Sequence, residues 1–457
     1  MKIVLARPPR RDFWDSGLCV PPLGLAYIAA ALQHNGYAVQ IIDAYAERLS
    51  WRDFEAQVQA LQPDVLGLTI MTPMLDVAQK TFRLLRPHAR FLIAGGPHPT
   101  AVKHAIFNDI PELDAAVVGE GEEAAVDLIQ WLQAHMVGPV PNGVCVPDTE
   151  FKGRSAPNIH AIRRPARALL PNAQYQYLFS TKPGFGTIIS SRGCPFRCSF
   201  CDKSVSGSRW RARSAEDVVD EMQEMVHQYG IGFINFYDDN FTLNQARVAE
   251  ICETILRTGL KVDWKCEGRV DNADFELLKL MRRAGCRTVA YGVESANPET
   301  LALLRKDIQV EQTVRAFELT RKAGLRSLAY MILGAPGESA DNVQASIQFC
   351  REIKADYVQF SSLTLMPGTP LAAQYTVDRS VKNPFDSDVH RPTLTDLSDT
   401  ELQALMRKAW LGFYLRPRAI GRLTRDAIRS GALPEGLRIA LNMGKWALSG
   451  TLPGELQ

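Results

Sequence analysis

The sequence predicts an α/β protein: an N-terminal doubly wound parallel sheet, a partial (β/α)6 barrel after it, and a helical C-terminal region. Three observations predict this. Short apolar runs alternate with helical periodicity over residues 1–135, the punctuation of parallel strands with helices on both faces. Six further strand–helix repeats run over 184–373, which fits a barrel whose chemistry lies at strand C-termini. Residues 374–457 carry helical stretches. The 457-residue length, 46% hydrophobic and 22% charged, allows about two to four domains with sizeable cores.

In the first unit, 1–135, the expected strands are Lys2–Ala6, Ala38–Asp43, Val65–Thr69, Arg90–Ala94 and Ala115–Val118. Helical periodicity covers Leu23–His34, Trp51–Leu61, Met74–Leu85 and Glu122–Ala134. Residues 136–183 are rich in Pro, Asn, Gly and Arg and read as a linker draped over both units. In the second unit, 184–373, strands fit Gly186–Ser190, Phe233–Tyr237, Asp263–Gly268, Thr288–Gly292, Ser327–Leu333 and Tyr357–Leu363. Helices fit Ala215–Gln228, Gln245–Thr258, Ala273–Ala284, Pro298–Leu304, Val310–Ala323 and Ser339–Ile353. In the tail, 374–457, helical stretches cover Asp399–Leu411 and Pro434–Leu448, with Arg416, Arg418, Arg422, Arg425 and Arg429 spread between them. Those arginines read either as the solvated face of a helical cap or as a surface for a peripheral membrane contact.

Composition excludes several classes. A net charge of +2 gives no strong field for nucleic acid. Nine cysteines in a chain this long are not a disulfide framework. The N-terminus reads as a strand and lacks a long apolar run. The best one nearby, Leu23 to Leu32, is about half a membrane span.

The most informative string is Ser190-Ser191-Arg192-Gly193-Cys194-Pro195-Phe196-Arg197-Cys198-Ser199-Phe200-Cys201. Its C-x3-C-x2-C spacing places three soft thiolates on one short loop, enough to hold three irons of a [4Fe–4S] cluster and leave the fourth open. A structural zinc site wants a fourth nearby ligand, and none follows. The loop comes directly after the first strand of the second series, where barrel chemistry belongs. A reduced cytoplasm suits such a cluster.

This string resembles the signature of the radical S-adenosylmethionine (SAM) enzymes. The resemblance implies that the open iron chelates SAM and that reductive cleavage yields a 5′-deoxyadenosyl radical. It also implies an electron donor such as flavodoxin or ferredoxin. Phe200, the aromatic before the last cysteine, takes the place that packs near the adenine. The loops Thr69-Ile70-Met71-Thr72-Pro73-Met74, Gly95-Gly96-Pro97-His98 and Gly119-Glu120-Gly121-Glu122 follow first-unit strands in the order of the cobalamin-binding domain fused to many radical SAM domains. The first unit is therefore expected to be a Rossmann-like cobalamin-binding domain, its ligand at the strand ends. Contacts are expected from Thr69, Met71, Thr72, Gly95, Gly96, His98, Gly119, Glu120 and Gly121. One departure stands out. Arg7-Pro8-Pro9-Arg10-Arg11-Asp12-Phe13 replaces the D-x-H-x-x-G stretch that supplies a lower histidine to cobalt, so either the cobalt has no protein histidine below it or the domain has lost cobalamin. His98 sits in the glycine loop expected to meet the nucleotide tail, and reads as a hydrogen-bonding residue.

The second-unit strand ends supply the remaining candidates. Asp238 and Asp239 either take the SAM ammonium or stand beside a helix cap made by Asn240 or Asn244. Arg269 either grips a carboxylate or amide of a cofactor, or pairs with Asp271. Glu294, in Gly292-Val293-Glu294-Ser295, resembles the ribose- and methionine-contacting stretch. Gly334, in Leu333-Gly334-Ala335-Pro336-Gly337-Glu338, resembles the adenine-side loop, where backbone groups serve. Gln359 belongs to the sixth strand and is placed to meet SAM or substrate.

The implied reaction is methylation of a carbon of a small-molecule or lipid-like substrate through methylcobalamin. Rearrangement or ring formation without methyl transfer is the second reading. A cobalamin sensor or carrier is a third, and the cysteine loop argues against it.

Overall fold

The computed structural model describes residues 1–9, 18–375 and 397–434, with 436–438, 440–441 and 444. The first sheet has six strands: β1 (Lys2–Arg7), β2 (Ala38–Asp43), β3 (Val65–Thr69), β4 (Phe91–Gly95), β5 (Ala115–Val117) and β6 (Val144–Cys145). Their order is β2-β1-β3-β4-β5-β6, all parallel except β6, which pairs antiparallel with β5. Helices α1 (Leu23–His34), α2 (Trp51–Leu61), α3 (Leu75–Leu85), α4 (Pro97–Val102) and α5 (Gly121–Gln133) connect them. Two apolar layers result, with Val4, Leu66 and Leu92 in one and Ile3, Val65 and Ile93 in the other. Adjacent strand residues thus enter opposite faces, which is why these strands read as unbroken apolar runs.

The second sheet has strands β7 (Phe185–Ile188), β8 (Phe233–Phe236), β9 (Asp263–Gly268), β10 (Cys286–Glu294), β11 (Arg326–Leu333) and β12 (Tyr357–Ser362). They lie in sequence order, every pair parallel, as a half-barrel. Helices α6 (Ala215–Tyr229), α7 (Gln245–Thr258), α8 (Phe275–Arg283), α9 (Val310–Lys322) and α10 (Ala340–Glu352) join successive strands. Side-chain caps start four of them: Ser214, Asn244, Asp274 and Ser339 accept from backbone N–H groups of α6, α7, α8 and α10. Alternation divides the barrel strands cleanly. Trp264, Cys266, Val289, Tyr291, Ala329, Met331, Val358 and Phe360 join the helix-side core, so Lys265, Glu267, Ala290, Tyr330 and Gln359 face the barrel interior.

The linker 136–183 supplies β6 to the first sheet, and its Gln176–Tyr177 pairs with Leu18–Cys19. It also bonds both units: Tyr175 donates to Asp43 at 2.8 Å, and Arg167 donates to Glu221 of α6 at 2.6 Å. One expectation needs correction: the arginines of the tail are not spread between helices. After α11 (Asp399–Tyr414), Arg418, Arg422, Arg425 and Arg429 lie on one helix, α12 (Pro417–Ser430). Pro417 is its first residue, where proline starts rather than breaks a helix. Asp426 of α12 is fully buried and takes hydrogen bonds from Arg326 at 2.8 Å and from Tyr357, which docks α12 beneath the barrel. The expected helix Pro434–Leu448 lies largely outside the described residues. Among the described residues no helix is long and apolar enough to cross a membrane.

Candidate active site

Beyond β7, Ser191–Arg192 pairs antiparallel with Arg211–Ala212. The cysteine loop hangs between these arms. Cys194, Cys198 and Cys201 are free and half-buried, whereas the other six cysteines are buried. Gly193 has φ +83°, and a Cβ there would collide with the carbonyl of Arg209, so the turn into Cys194 requires glycine. The loop's middle is pinned by Ser199, whose N–H donates to Leu304 at 2.9 Å and whose carbonyl accepts from Leu371 at 2.8 Å. Burial pushes the Cys194 thiol up and the Cys201 thiol to about 12. A metal's positive charge is what converts such groups to thiolates. Among the described residues no three His, Cys, Asp or Glu side chains close around a single ion.

Asp238 and Asp239 hold this loop. Buried Asp238 accepts from Ser190 N–H at 2.7 Å, Ser190 Oγ at 2.6 Å and Ser191 Oγ at 2.5 Å. Asp239 accepts from Gly193 N–H at 2.9 Å. Burial raises both carboxyls. The helix cap belongs to Asn244, which accepts from Arg247 N–H at 3.0 Å. Both Asp238 oxygens are engaged in clamping the strand that leads to the cysteines, so Asp238 is not a free carboxylate for an ammonium. Arg269 likewise takes the pairing role. It bonds Asp271 at 3.0 Å and the Lys306 carbonyl at 2.9 Å, and its guanidinium lies 3.7 Å from the Phe196 ring centroid. It thus stacks on the cysteine loop.

Glu294 ends β10 with φ +65°, after a register shift at Gly292. Its Oε1 accepts from Lys306 Nζ at 2.6 Å, and both side chains are nearly buried. A Cβ at Gly292 would collide with this pair. Lys306 Nζ in turn lies 6.0 Å from the Phe200 ring centroid. Phe200 packs against the cluster of Leu304, Ala335, Leu363, Leu365 and Leu371. Phe200 and the Gly334 loop therefore share one apolar wall. The N–H groups of Gly334 and Ala335 donate to Glu338 at 2.7 and 3.1 Å, so the Glu338 carboxylate sets that loop's shape.

On the first sheet, Gly96 has φ +100°, and a Cβ would lie 2.7 Å from Thr69 Oγ1 and 3.0 Å from the Ile70 carbonyl. Glycine thus lets the β3 and β4 loops lie against each other. Met71 is 51% exposed at the end of β3. His98 is buried, its Nδ1 3.1 Å from Thr72 Oγ1 and its Nε2 3.6 Å from Asp109. It is held inside α4 and not presented at the strand ends. Gly119 N–H donates to Thr100 at 3.0 Å, while nothing lies within 4 Å of where its Cβ would be. Gly121 starts α5 beside Ile28 and Val117. Glu120 is not free. Arg192 donates to it at 2.7 Å, and Arg211 pairs with it too. The strand ends of the first sheet therefore face the cysteine loop of the second.

The Radical SAM superfamily model matches residues 188–350, and the B12 binding domain model matches 14–129. An uncharacterized methyltransferase of Pyrococcus horikoshii is 33% identical over 92% of this chain and 94% of its own length. The chain belongs to the radical SAM superfamily, in its B12-binding, cobalamin-dependent branch. An anaerobic magnesium-protoporphyrin IX monomethyl ester cyclase of Cereibacter sphaeroides is 30% identical over 81% of this chain and 63% of its own length. In fold, the chain resembles the cobalamin-dependent SAM radical enzyme OxsB, at TM-score 0.74 and 16% identity over 100% of this chain and 74% of that one.

The family's cofactors are a [4Fe–4S] cluster, SAM and cobalamin, and the residues present fit them. Three free thiols share one pinned loop. Gly96 lets the β3 and β4 loops lie against each other, and nothing lies within 4 Å of where a Cβ on Gly119 would be. Sequence reasoning missed Lys306 as the partner of Glu294, and Arg192 and Arg211 as partners of Glu120. Arg192 stands inside the quoted cysteine string, but its partners lie 72 and 70 residues away, where no local spacing points.

Proposed function

We propose that this enzyme methylates an unactivated carbon of a small-molecule or lipid-like substrate. The observation that carries the reading is the hydrogen bond that Arg192, two residues before Cys194, donates to Glu120. It sets the cobalamin side of the first sheet against the cluster side of the second, so that a methyl carrier and a radical source share one space. When bound, the cluster with SAM supplies a hydrogen-abstracting radical, and cobalamin supplies the methyl group. The chain's own part is to position and to exclude water. Cys194, Cys198 and Cys201 hold the cluster. Asp238, Asp239 and Arg269 fix their loop. Phe200, Glu294 and the Gly334 loop bind SAM. Thr69, Met71, Thr72, Gly95, Gly96, Gly119 and Gly121 would meet cobalamin. Exposed Arg418, Arg425 and Arg429 beside exposed Ile420 and Ile428 on α12, beneath the barrel, suit a peripheral contact with an anionic membrane surface. The compartment is the reducing cytoplasm, with flavodoxin or ferredoxin as electron donor.

The test is turnover of anaerobically loaded enzyme with trideuteromethyl SAM and small-molecule extract of cells lacking the gene. A product carrying the deuterated methyl group is expected, together with 5′-deoxyadenosine, and both are lost when all three loop cysteines become alanine. Ring formation is the second reading, favoured by the cyclase relative. It would give 5′-deoxyadenosine and a product without label. Neither product nor 5′-deoxyadenosine would leave a sensor or carrier.

A further inference from the structure

The barrel interior holds a polar cluster that none of the roles above uses. Lys265 and Glu267 of β9 face inward and form an ion pair. Lys265 Nζ also lies 3.4 Å from Asn235 Oδ1 of β8 and 3.4 Å from the Tyr330 hydroxyl of β11. Tyr330 donates to Glu267 Oε1 at 3.1 Å. Both partners of Glu267 therefore use one oxygen. The other, Oε2, is buried and without a partner, a state that native structures rarely leave unfilled. Lys265 is itself buried. Burial alone would discharge it, but the Glu267 carboxylate outweighs this and holds the ammonium charged.

The neighbours define the space. Gln359 of β12 lies in register with Tyr330, on the same face, and is exposed. Tyr237, just beyond β8, is 37% exposed. Below, the floor is aromatic. Phe179 lies 4.5 Å from Tyr357 and 5.3 Å from Tyr177 between ring centroids, and Tyr177 lies 5.5 Å from Phe185. The linker thus plugs the bottom of the half-barrel, and a ligand enters from the strand C-termini, where the cysteine loop stands.

We propose that the Glu267 carboxylate, on a side chain still 20% exposed and bonded to Tyr330, which stands in register with Gln359, anchors the substrate through a hydroxyl or amine group that donates a hydrogen bond to it. Among the described residues, Lys265 is matched by Glu267 and Lys306 by Glu294. An anionic group would meet a carboxylate whose neighbouring cation is already paired. The proposal rests on the radical chemistry of the reading above but not on methyl transfer.

The test reads 5′-deoxyadenosine, which hydrogen abstraction releases with or without methylation. Loaded wild-type enzyme is titrated with the knockout-cell extract, and the amount giving half-maximal stimulation is recorded. Glu267→Gln keeps the Lys265 contact and replaces the free acceptor with a donor. It should raise the half-stimulating amount about tenfold or more. Gln359→Ala, at an exposed position, should raise it severalfold. Unchanged half-stimulating amounts in both variants would overturn the proposal. So would loss of the cluster in Glu267→Gln together with an unchanged Gln359→Ala, because Glu267 would then be structural. A stimulating compound shown by mass spectrometry to lack any O–H or N–H donor would overturn it as well. If the compound is consumed without gaining a methyl group, the methylation reading fails and this one stands.

Discussion

Arg192 and Glu120 join the two halves of the site across their interface. Arg192 Nη1 donates to Glu120 at 2.7 Å and Nη2 donates to Glu122 at 2.5 Å. Arg211 adds a second pair to Glu120, and the Tyr27 ring centroid lies 5.0 Å from the Arg192 guanidinium. Burial opposes the charge on Arg192, but the two glutamates outweigh it and hold it firmly protonated. Removing one partner of a buried pair leaves an uncompensated charge and costs about 3–5 kcal/mol. Glu120→Gln should therefore lower the unfolding temperature, with little relief from salt because the pair is screened from solvent. Replacing Arg192 and Glu120 together by Met and Leu should not recover that loss, because Glu122 and Arg211 then lose their partners as well. An unfolding temperature equal to wild type in Glu120→Gln would mean that the interface does not depend on this pair.

Glu294 and Lys306 form the corresponding pair on the side proposed to hold SAM. Glu294→Gln keeps the shape and removes the counter-charge of a nearly buried ammonium. A charge-assisted hydrogen bond contributes about 1.5–3 kcal/mol, so SAM affinity should fall by about one to two powers of ten, with the cluster retained. Gly292→Ala should act similarly, because its methyl group displaces both side chains. Calorimetric titration of SAM into cluster-loaded protein measures both. Wild-type affinity in both variants would make the pair purely structural.

Much of this architecture can be read from the chain. Ala38–Asp43, Val65–Thr69 and Asp263–Gly268 are strands to the residue, and Leu23–His34, Trp51–Leu61 and Gln245–Thr258 are helices to the residue. Periodicity and caps are local, and local signals carry that far. The roles of Asp238 and Arg269 are less legible. A carboxylate at a strand end looks the same whether it meets a ligand or the serines 48 and 47 residues before it. The helix Pro417–Ser430 is hidden by Pro417, Gly421 and its run of arginines, and becomes intelligible only when Asp426 meets Arg326, 100 residues away.

The cobalt site yields a spectroscopic prediction. His98 is buried against Thr72 and Asp109, and the usual histidine stretch is absent after β1. Electron paramagnetic resonance of the cob(II)alamin form should therefore show no axial nitrogen splitting. His98→Ala should leave the spectrum unchanged while loosening the Thr72 loop. Nitrogen superhyperfine lines in wild type that vanish in His98→Ala would make His98 a ligand after all.

Asp217 gives the linker contact a pH dependence. Its Oδ2 accepts from Arg213 at 2.7 Å, and its Oδ1 accepts from Arg164 of the linker at 2.9 Å. Burial pushes the carboxyl up, but these hydrogen bonds and positive charges prevail and hold it below the ordinary carboxylate range. In the unfolded chain it returns to about 3.9. As pH falls, the unfolded state binds the proton first. The stabilisation is therefore complete well above about pH 4 and disappears as pH drops through the lower native value. The side chain is 43% exposed, so solvent screening limits the gain to about 1 kcal/mol or less. Asp217→Asn should lower the urea midpoint at pH 7, and its difference from wild type should shrink steadily below about pH 4. A difference that stays constant or widens on acidification would show that Asp217 stabilises the fold by some route other than its charge.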